Sequence, residues 1–226
     1  EEMHTVVIKS ARPEHAYYFA QDVEGANIKA LQDAVLQSND RSYAYYFARD
    51  IEGANIEALQ DVIIRSNNPW AAYCFATVEG ADVEVLQNIV IESDNIWEAY
   101  WFAKDVEGAN VEALQGVINR SNHQDSGSCA YQFARDIEGA DIKALQDIVM
   151  RAVDLMPAVG FARYVEGADV EALHDVIMKS GRQEVIDLWN KVFENQWNKI
   201  LEENNDELIL CRINSVDMRE LLPYYN

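Results

Sequence analysis

The side chains best suited to nucleophilic or metal chemistry are four histidines, His4, His15, His123 and His174, and three cysteines, Cys74, Cys129 and Cys211. Their spacing does not assemble them. The cysteines stand far apart, in no zinc-ligand pair and no disulfide framework. His123 and Cys129 come nearest to a dyad, but no third group stands ready to orient the histidine. No glycine-rich phosphate loop, HExxH, Gly-x-Ser-x-Gly or calcium-loop pattern occurs. Carboxylates recur instead. Glu24, Glu52, Glu79, Glu107, Glu138 and Glu166 share one setting, and Asp22, Asp50, Asp105 and Asp136 share another. Two such acids could work on a glycosidic bond, yet six equivalent glutamates describe a repeated surface rather than one active centre. The expectation is a protein without catalytic residues, metal or cofactor, with a cryptic carboxylate site as the remote alternative.

The recurrence comes from an internal repeat. Ala-Tyr-Tyr-Phe-Ala begins at Ala16 and again at Ala44, and related phrases begin at Ala72, Ala99, Ala130 and Ala158. Their phenylalanines, Phe19, Phe47, Phe75, Phe102, Phe133 and Phe161, are 28, 28, 27, 31 and 28 residues apart. Each copy continues as Glu-Gly-Ala-Asn/Asp, then an apolar residue, a charged one and Ala-Leu-Gln, with Val85 and His174 as exceptions. Ala44, Phe47, Ala48 and Ile51 lie on one helical face, and Ile56, Leu59, Val62 and Ile63 on another. The first helix is expected to stop at Gly53, and Asn55 to cap the second. Asn27, Asp82, Asn110, Asp141 and Asp169 are the equivalent caps. Helices this short are marginal alone in water, so each must bury its stripe against neighbours.

The fold expected is all-α: an α-solenoid of about six and a half two-helix repeats over residues 1–180, with C-terminal capping helices over 181–226. Residues 1–10 align with a second helix, so the chain opens in mid-repeat, as a cap or as part of a longer protein. Val185, Leu188, Trp189, Val192, Phe193, Trp197, Ile200 and Leu201 form the stripe of a capping helix, with Trp189 where the next repeat phenylalanine would fall. One or two short elements are expected in 206–226, with Ser215 as a cap.

These paired helices resemble the broad α-solenoid group of ankyrin, TPR and HEAT repeats, at the level of architecture. The 28-residue period is shorter than theirs, and the TPR and ankyrin residue patterns are missing. The resemblance implies a binding scaffold and carries over no individual residue.

Columns that vary between copies are where function can sit. The position before the phenylalanine is Tyr18, Tyr46, Cys74, Trp101, Gln132 and Gly160. One turn earlier stand Glu14, Ser42, Trp70, Trp97, Ser128 and Met156, and one turn later Asp22, Asp50, Asp105, Asp136 and Tyr164. Spacing of four puts these on one ridge of each first helix. Aromatics with polar surroundings are the usual anchors of a protein interface. The candidate partner-binding residues are therefore Tyr18, Tyr46, Trp70, Trp97, Trp101, Asp22, Asp50, Asp105 and Asp136. The repeated Tyr17, Tyr45, Tyr73, Tyr100 and Tyr131 precede a mostly basic position by one turn, which suits cation stacking on their rings. The third copy lacks one residue. The fourth carries Gly116 and Asn119 in its second helix and is followed by an insertion within Asn122–Ser128. These departures add weight to the middle copies.

Charge points the same way. The chain holds 39 acidic and 18 basic side chains, a net charge of −21. Residues 1–180 hold 30 and 13 of them, so the excess belongs to the repeats. Such a chain repels phosphate, which argues against nucleic acid or an anionic membrane as a direct partner. Three acids per repeat, on helices ~8–10 Å apart, approach the charge spacing of ~3.4 Å along a DNA strand. The readings that follow are an acidic scaffold that inhibits or adapts a protein with a basic surface, and alternatively a nucleic-acid mimic filling the groove of a nucleic-acid-handling protein. No apolar run reaches the ~20 residues of a membrane span, and the start lacks a signal-peptide pattern. A reduced, cytoplasmic setting is the default expectation.

Overall fold

The computed structural model describes residues 12–204, and the side chains of 12–193. The expected half repeat at 1–10, the elements of 206–226 with Ser215, and the side chains of Trp197, Ile200 and Leu201 lie outside the described residues. Among the described residues there are thirteen α-helices and no strand. They are α1 (Pro13–Asp22), α2 (Ile28–Ser38), α3 (Arg41–Asp50), α4 (Ile56–Ser66), α5 (Pro69–Ala76), α6 (Val83–Glu92), α7 (Ile96–Asp105), α8 (Val111–Arg120), α9 (Ser126–Asp136), α10 (Ile142–Arg151), α11 (Met156–Tyr164), α12 (Val170–Ser180) and α13 (Gln183–Asn204). The fold is the expected helical-repeat solenoid, built of neighbouring pairs. Odd-numbered α1 to α11 are the first helices of the repeats and even-numbered α2 to α12 the second. Among the described residues no helix is long and apolar enough to cross a membrane. The chain divides into two compact units, Glu1–Val117 and Ile118–Asn226, parted within α8.

In the first unit α1 packs on α2, α3 on α4 and α5 on α6. First helices also touch in succession, α1 to α3 to α5 to α7, as do the second helices α2 to α4 to α6. The sequence explains the interior. Ala16, Ala44, Ala72 and Ala99 are fully buried, as are Leu31, Leu59, Leu86 and Leu114 and Phe47, Phe75 and Phe102. Alanine lets helix backbones approach, and each phenylalanine fills the space that remains; burying one is worth about 1.5–3 kcal/mol. Phe19, in the first described pair, is only partly buried.

Five residues join α3 to α4, and the first four of them form a turn. The first helix does not run on to the glycine as its spacing suggested. In α3 it ends at Asp50, and Ile51 is extended and buried. Gly53, with φ +78°, instead occupies the left-handed position of a turn closed by Ala54 N–H donating to the Ile51 carbonyl at 3.2 Å. Such a turn needs glycine at its third place. Asn55 then caps α4, its side-chain oxygen accepting from Ala58 N at 3.1 Å. The equivalent caps on α2, α6, α8, α10 and α12 all accept from the backbone three residues on.

In the first unit Gln32, Gln60 and Gln87, each following the buried leucine, tie one pair to the next. Gln32 Oε1 accepts from Asn55 N at 2.8 Å, and Gln32 Nε2 donates to the Asn55 carbonyl at 3.3 Å. Gln60 accepts from Asp82 N at 2.7 Å and Gln87 from Asn110 N at 2.6 Å. The third pair's missing residue is absorbed at the end of α5. Val78 N–H donates to Phe75, three residues back, where Ile51 reaches Phe47, four back.

In the second unit α9 packs on α10, α11 on α12, and α9 on α11. Ala130, Ala158, Phe133, Phe161, Leu145 and Leu173 are fully buried. Gln146 makes the two-bond clasp to Asp169, at 2.7 and 3.2 Å. The inserted segment closes on itself: Ser126 Oγ donates to the His123 carbonyl at 2.7 Å, and Arg151 reaches the Asn119 carbonyl at 3.2 Å. Gly127 lies where a Cβ would come within 2.6 Å of the Ala152 Cβ. The capping helix α13 rests on α11 and α12. Trp189 is buried, as its alignment with the phenylalanines predicts, and stacks on Phe193 at 4.2 Å and against His174 at 5.5 Å.

The clasp predicts an asymmetry between two glutamines. Gln60→Ala should lower stability by about 1–2 kcal/mol, because it strands a partly buried backbone donor. The exposed Gln37→Ala should change it by less than about 0.5 kcal/mol. Urea unfolding monitored by circular dichroism measures both, and equal midpoints would refute a role for the clasp.

Candidate functional site

The ridge read from the sequence lies largely on the first helices of the first unit. Tyr18 and Asp22 stand on α1, Tyr46 and Asp50 on α3, Trp70 on α5, and Trp97, Trp101 and Asp105 on α7. Successive contact of these helices brings them into one row. Asp136 stands on α9, in the second unit. Tyr18, Tyr46, Trp70 and Trp101 are 53%, 39%, 55% and 36% exposed. Trp97 is half-buried, edge-on to Tyr100 at 6.2 Å.

The repeated tyrosines anchor the row from beneath. Tyr17 Oη donates to Asp50 Oδ2 in the next repeat at 2.6 Å, and Tyr73 Oη to Asp105 Oδ2 at 2.7 Å. Asp50 also accepts from Arg49 Nε at 2.6 Å and Nη2 at 2.8 Å. In the second unit Arg135 grips Asp136 in the same way, at 2.6 and 3.0 Å. The candidate aspartates of the ridge are thus partly engaged; the Asp50 and Asp136 side chains are 21% and 15% exposed. Arg49, first, and then Tyr17 hold the Asp50 carboxyl below its ordinary range, against the opposing effect of burial. The same bond pushes the Tyr17 phenol up, with burial adding to it. For Tyr73 burial comes first and the bond to Asp105 second.

Cations lie over the rings, as the tyrosine-to-basic spacing suggested. Arg49 sits 5.1 Å from the Tyr45 ring and 5.3 Å from Tyr46. Lys104 sits 5.3 Å from Tyr100 and 5.5 Å from Trp101, and Arg135 sits 5.3 Å from Tyr131. At the N-terminal end, Tyr17, Tyr43 and Tyr46 form a cluster with ring centroids about 6 Å apart, and Tyr18 stacks obliquely on Tyr17 at 5.1 Å. Beside it an open groove of about 490 Å³ is lined by Gln21, Asp22, Glu24, Asp50 and Glu52, among others. The six repeated glutamates are exposed on the turns.

The tyrosine–aspartate bridge and Tyr43 escaped sequence reasoning, although a signal for the bridge was present. Tyr45 and Tyr131 are followed, one repeat on, by the deletion and by Tyr164 rather than by aspartate. Gly160 also gains a reason, since a Cβ there would lie 2.9 Å from Tyr131 Cζ. Of the residues first considered for chemistry, Cys129 is fully buried and burial pushes its thiol far up. His123 is exposed in its loop, its Nδ1 accepting from Asp125 N at 3.2 Å. Among the described residues no three histidine, cysteine or acidic side chains converge to hold a metal ion. Comparison with protein-family models, curated proteins and solved structures finds no match to this chain.

The bridge predicts a pH signature. A carboxyl held low in the folded state stabilises the fold above its unfolded value of about 4, and that contribution vanishes as pH falls through the lower folded value. Wild type should therefore lose its advantage over Asp50→Asn as pH drops from about 5 to about 2. Tyr17→Phe should lower stability by about 1 kcal/mol at neutral pH. Unfolding curves across this range check both. A difference that stays constant across this range would show that the fold does not favour the ionised Asp50 carboxyl.

Proposed function

We propose that this protein is a non-enzymatic scaffold whose aromatic ridge on α1, α3, α5 and α7 docks a protein with a basic surface, as an inhibitor or adaptor. The observation that carries the reading is the row of exposed Tyr18, Tyr46, Trp70 and Trp101 on adjoining helices. Tyrosine and tryptophan dominate the energetics of protein interfaces, because they bury a large area with little loss of side-chain freedom. The surrounding charge of −21 steers a basic partner toward the ridge and accelerates encounter.

Nucleic-acid mimicry is the second reading, and the exposed glutamates on successive turns favour it. Arg49, Lys104, Arg135 and Arg163 along the first helices interrupt the field that a mimic requires. The partner's chemistry decides between the two. A mimic competes with DNA for its target and weakens steeply with salt, whereas a ridge of aromatic anchors keeps most of its affinity.

The test is capture of a partner from the source cells on immobilised protein, with Trp70→Ala/Trp101→Ala as the paired control. The expected partner has a basic surface, and the double substitution should weaken it by about tenfold or more in calorimetry. Equal retention by the double variant overturns the ridge, and displacement by duplex DNA moves the assignment to mimicry.

A further inference from the structure

Most repeats supply their own cation to the ridge. Arg49 covers Tyr45 and Tyr46, Lys104 covers Tyr100 and Trp101, Arg135 covers Tyr131, and Arg163 lies 5.1 Å from the Tyr164 ring. Two repeats differ in sequence at this position. The first has Gln21, whose amide donates to Tyr17 Oη at 3.4 Å. The third has lost the position with its deleted residue, and only Thr77 separates Ala76 from Val78. Among the described residues no cation lies over Tyr18, Trp70 or Tyr73. Tyr18 and Trp70 are also the most exposed candidate aromatics, at 53% and 55%, against 39% for Tyr46 and 36% for Trp101 beneath their arginine and lysine.

We propose that the exposed ring faces of Tyr18 and of Trp70 beside Tyr73 receive lysine or arginine side chains from the partner, in the geometry that Arg49 and Lys104 adopt within the chain. This names the anchor points of the docking ridge and rests on that reading. A cation over Tyr18 would lie beside the Gln21 amide, at the edge of the groove that Asp22, Glu24, Asp50 and Glu52 line. Aromatic faces with carboxylates close by favour a cation over any neutral group of the same size. The chain's own arginines show that such side chains fit this ridge. Helices α1 and α5 are two first-helix steps apart, about 16–20 Å. Two cationic residues separated by five others in an extended segment span about the same distance.

A seven-residue peptide with arginine at both ends and a Gly-Ser spacer, its termini blocked, is the probe, and NMR titration is the readout. Shifts are expected at Tyr17, Tyr18, Gln21, Trp70 and Tyr73, and none with a glutamine-ended peptide. Gln21→Arg, which gives the first repeat the cation of its neighbours, should weaken binding by about threefold to tenfold. Gln37→Arg makes the same charge change on an exposed face of α2 and should leave affinity within about twofold. Arg49→Gln bares the Tyr45 and Tyr46 faces and should add shifts there. Equal affinities for Gln21→Arg and Gln37→Arg, shifts confined to other residues, or no binding of the arginine peptide would overturn the proposal. A protein partner still lost on Trp70→Ala/Trp101→Ala would keep the docking ridge in that event, so the two readings fail separately.

Discussion

The register of the stack depends on a glutamine that treats the backbone of the next repeat as its hydrogen-bond complement. Apolar burial brings helices together without direction, and alanine and phenylalanine columns alone would let one pair slide against the next. A carboxamide offers a donor and an acceptor on one flat group. In Gln32 and Gln146 both meet the N–H and C=O of a single residue, Asn55 and Asp169. That residue is the helix cap, whose side chain serves its own helix while its backbone serves the second helix of the preceding repeat. Asparagine or aspartate at the cap and glutamine in the helix are therefore one device made in two places.

A second layer of polar contacts lies nearer the surface and bears on binding. Tyr17 with Asp50, and Tyr73 with Asp105, cross from one first helix to the next and fix the rings on which Tyr18 and Trp70 lean. A binding surface made of aromatics already held in place loses little entropy on association. The aspartates reduce their own availability to a partner by doing this, and the acidic character of the ridge passes to the glutamates of the turns.

The architecture was legible because tandem copies act as an alignment within one chain. Constant alanine, phenylalanine and leucine marked the interior, and asparagine or aspartate after Gly-Ala marked the caps. What escaped were pairings between copies. Gln32 and Asn55 are 23 residues apart, and Tyr17 and Asp50 are 33 apart. Periodicity within one helix is blind to such separations. The end of the first helix was misplaced for a related reason: the glycine signals a left-handed residue, and here that residue belongs to a separate turn three positions beyond the last helical one. The ridge was visible as a column of variable residues, but its division into faces covered and uncovered by cations needed the side-chain positions.

The glutamine column ends at His174, which turns toward Trp189 of the capping helix instead of offering a carboxamide. The copies before it carry glutamine in the second helix and asparagine or aspartate at its cap. A copy added beyond His174 would meet an imidazole and an indole with no backbone-matching group. At this end the array is thus closed by ring packing, where the other copies present a group that matches a further backbone.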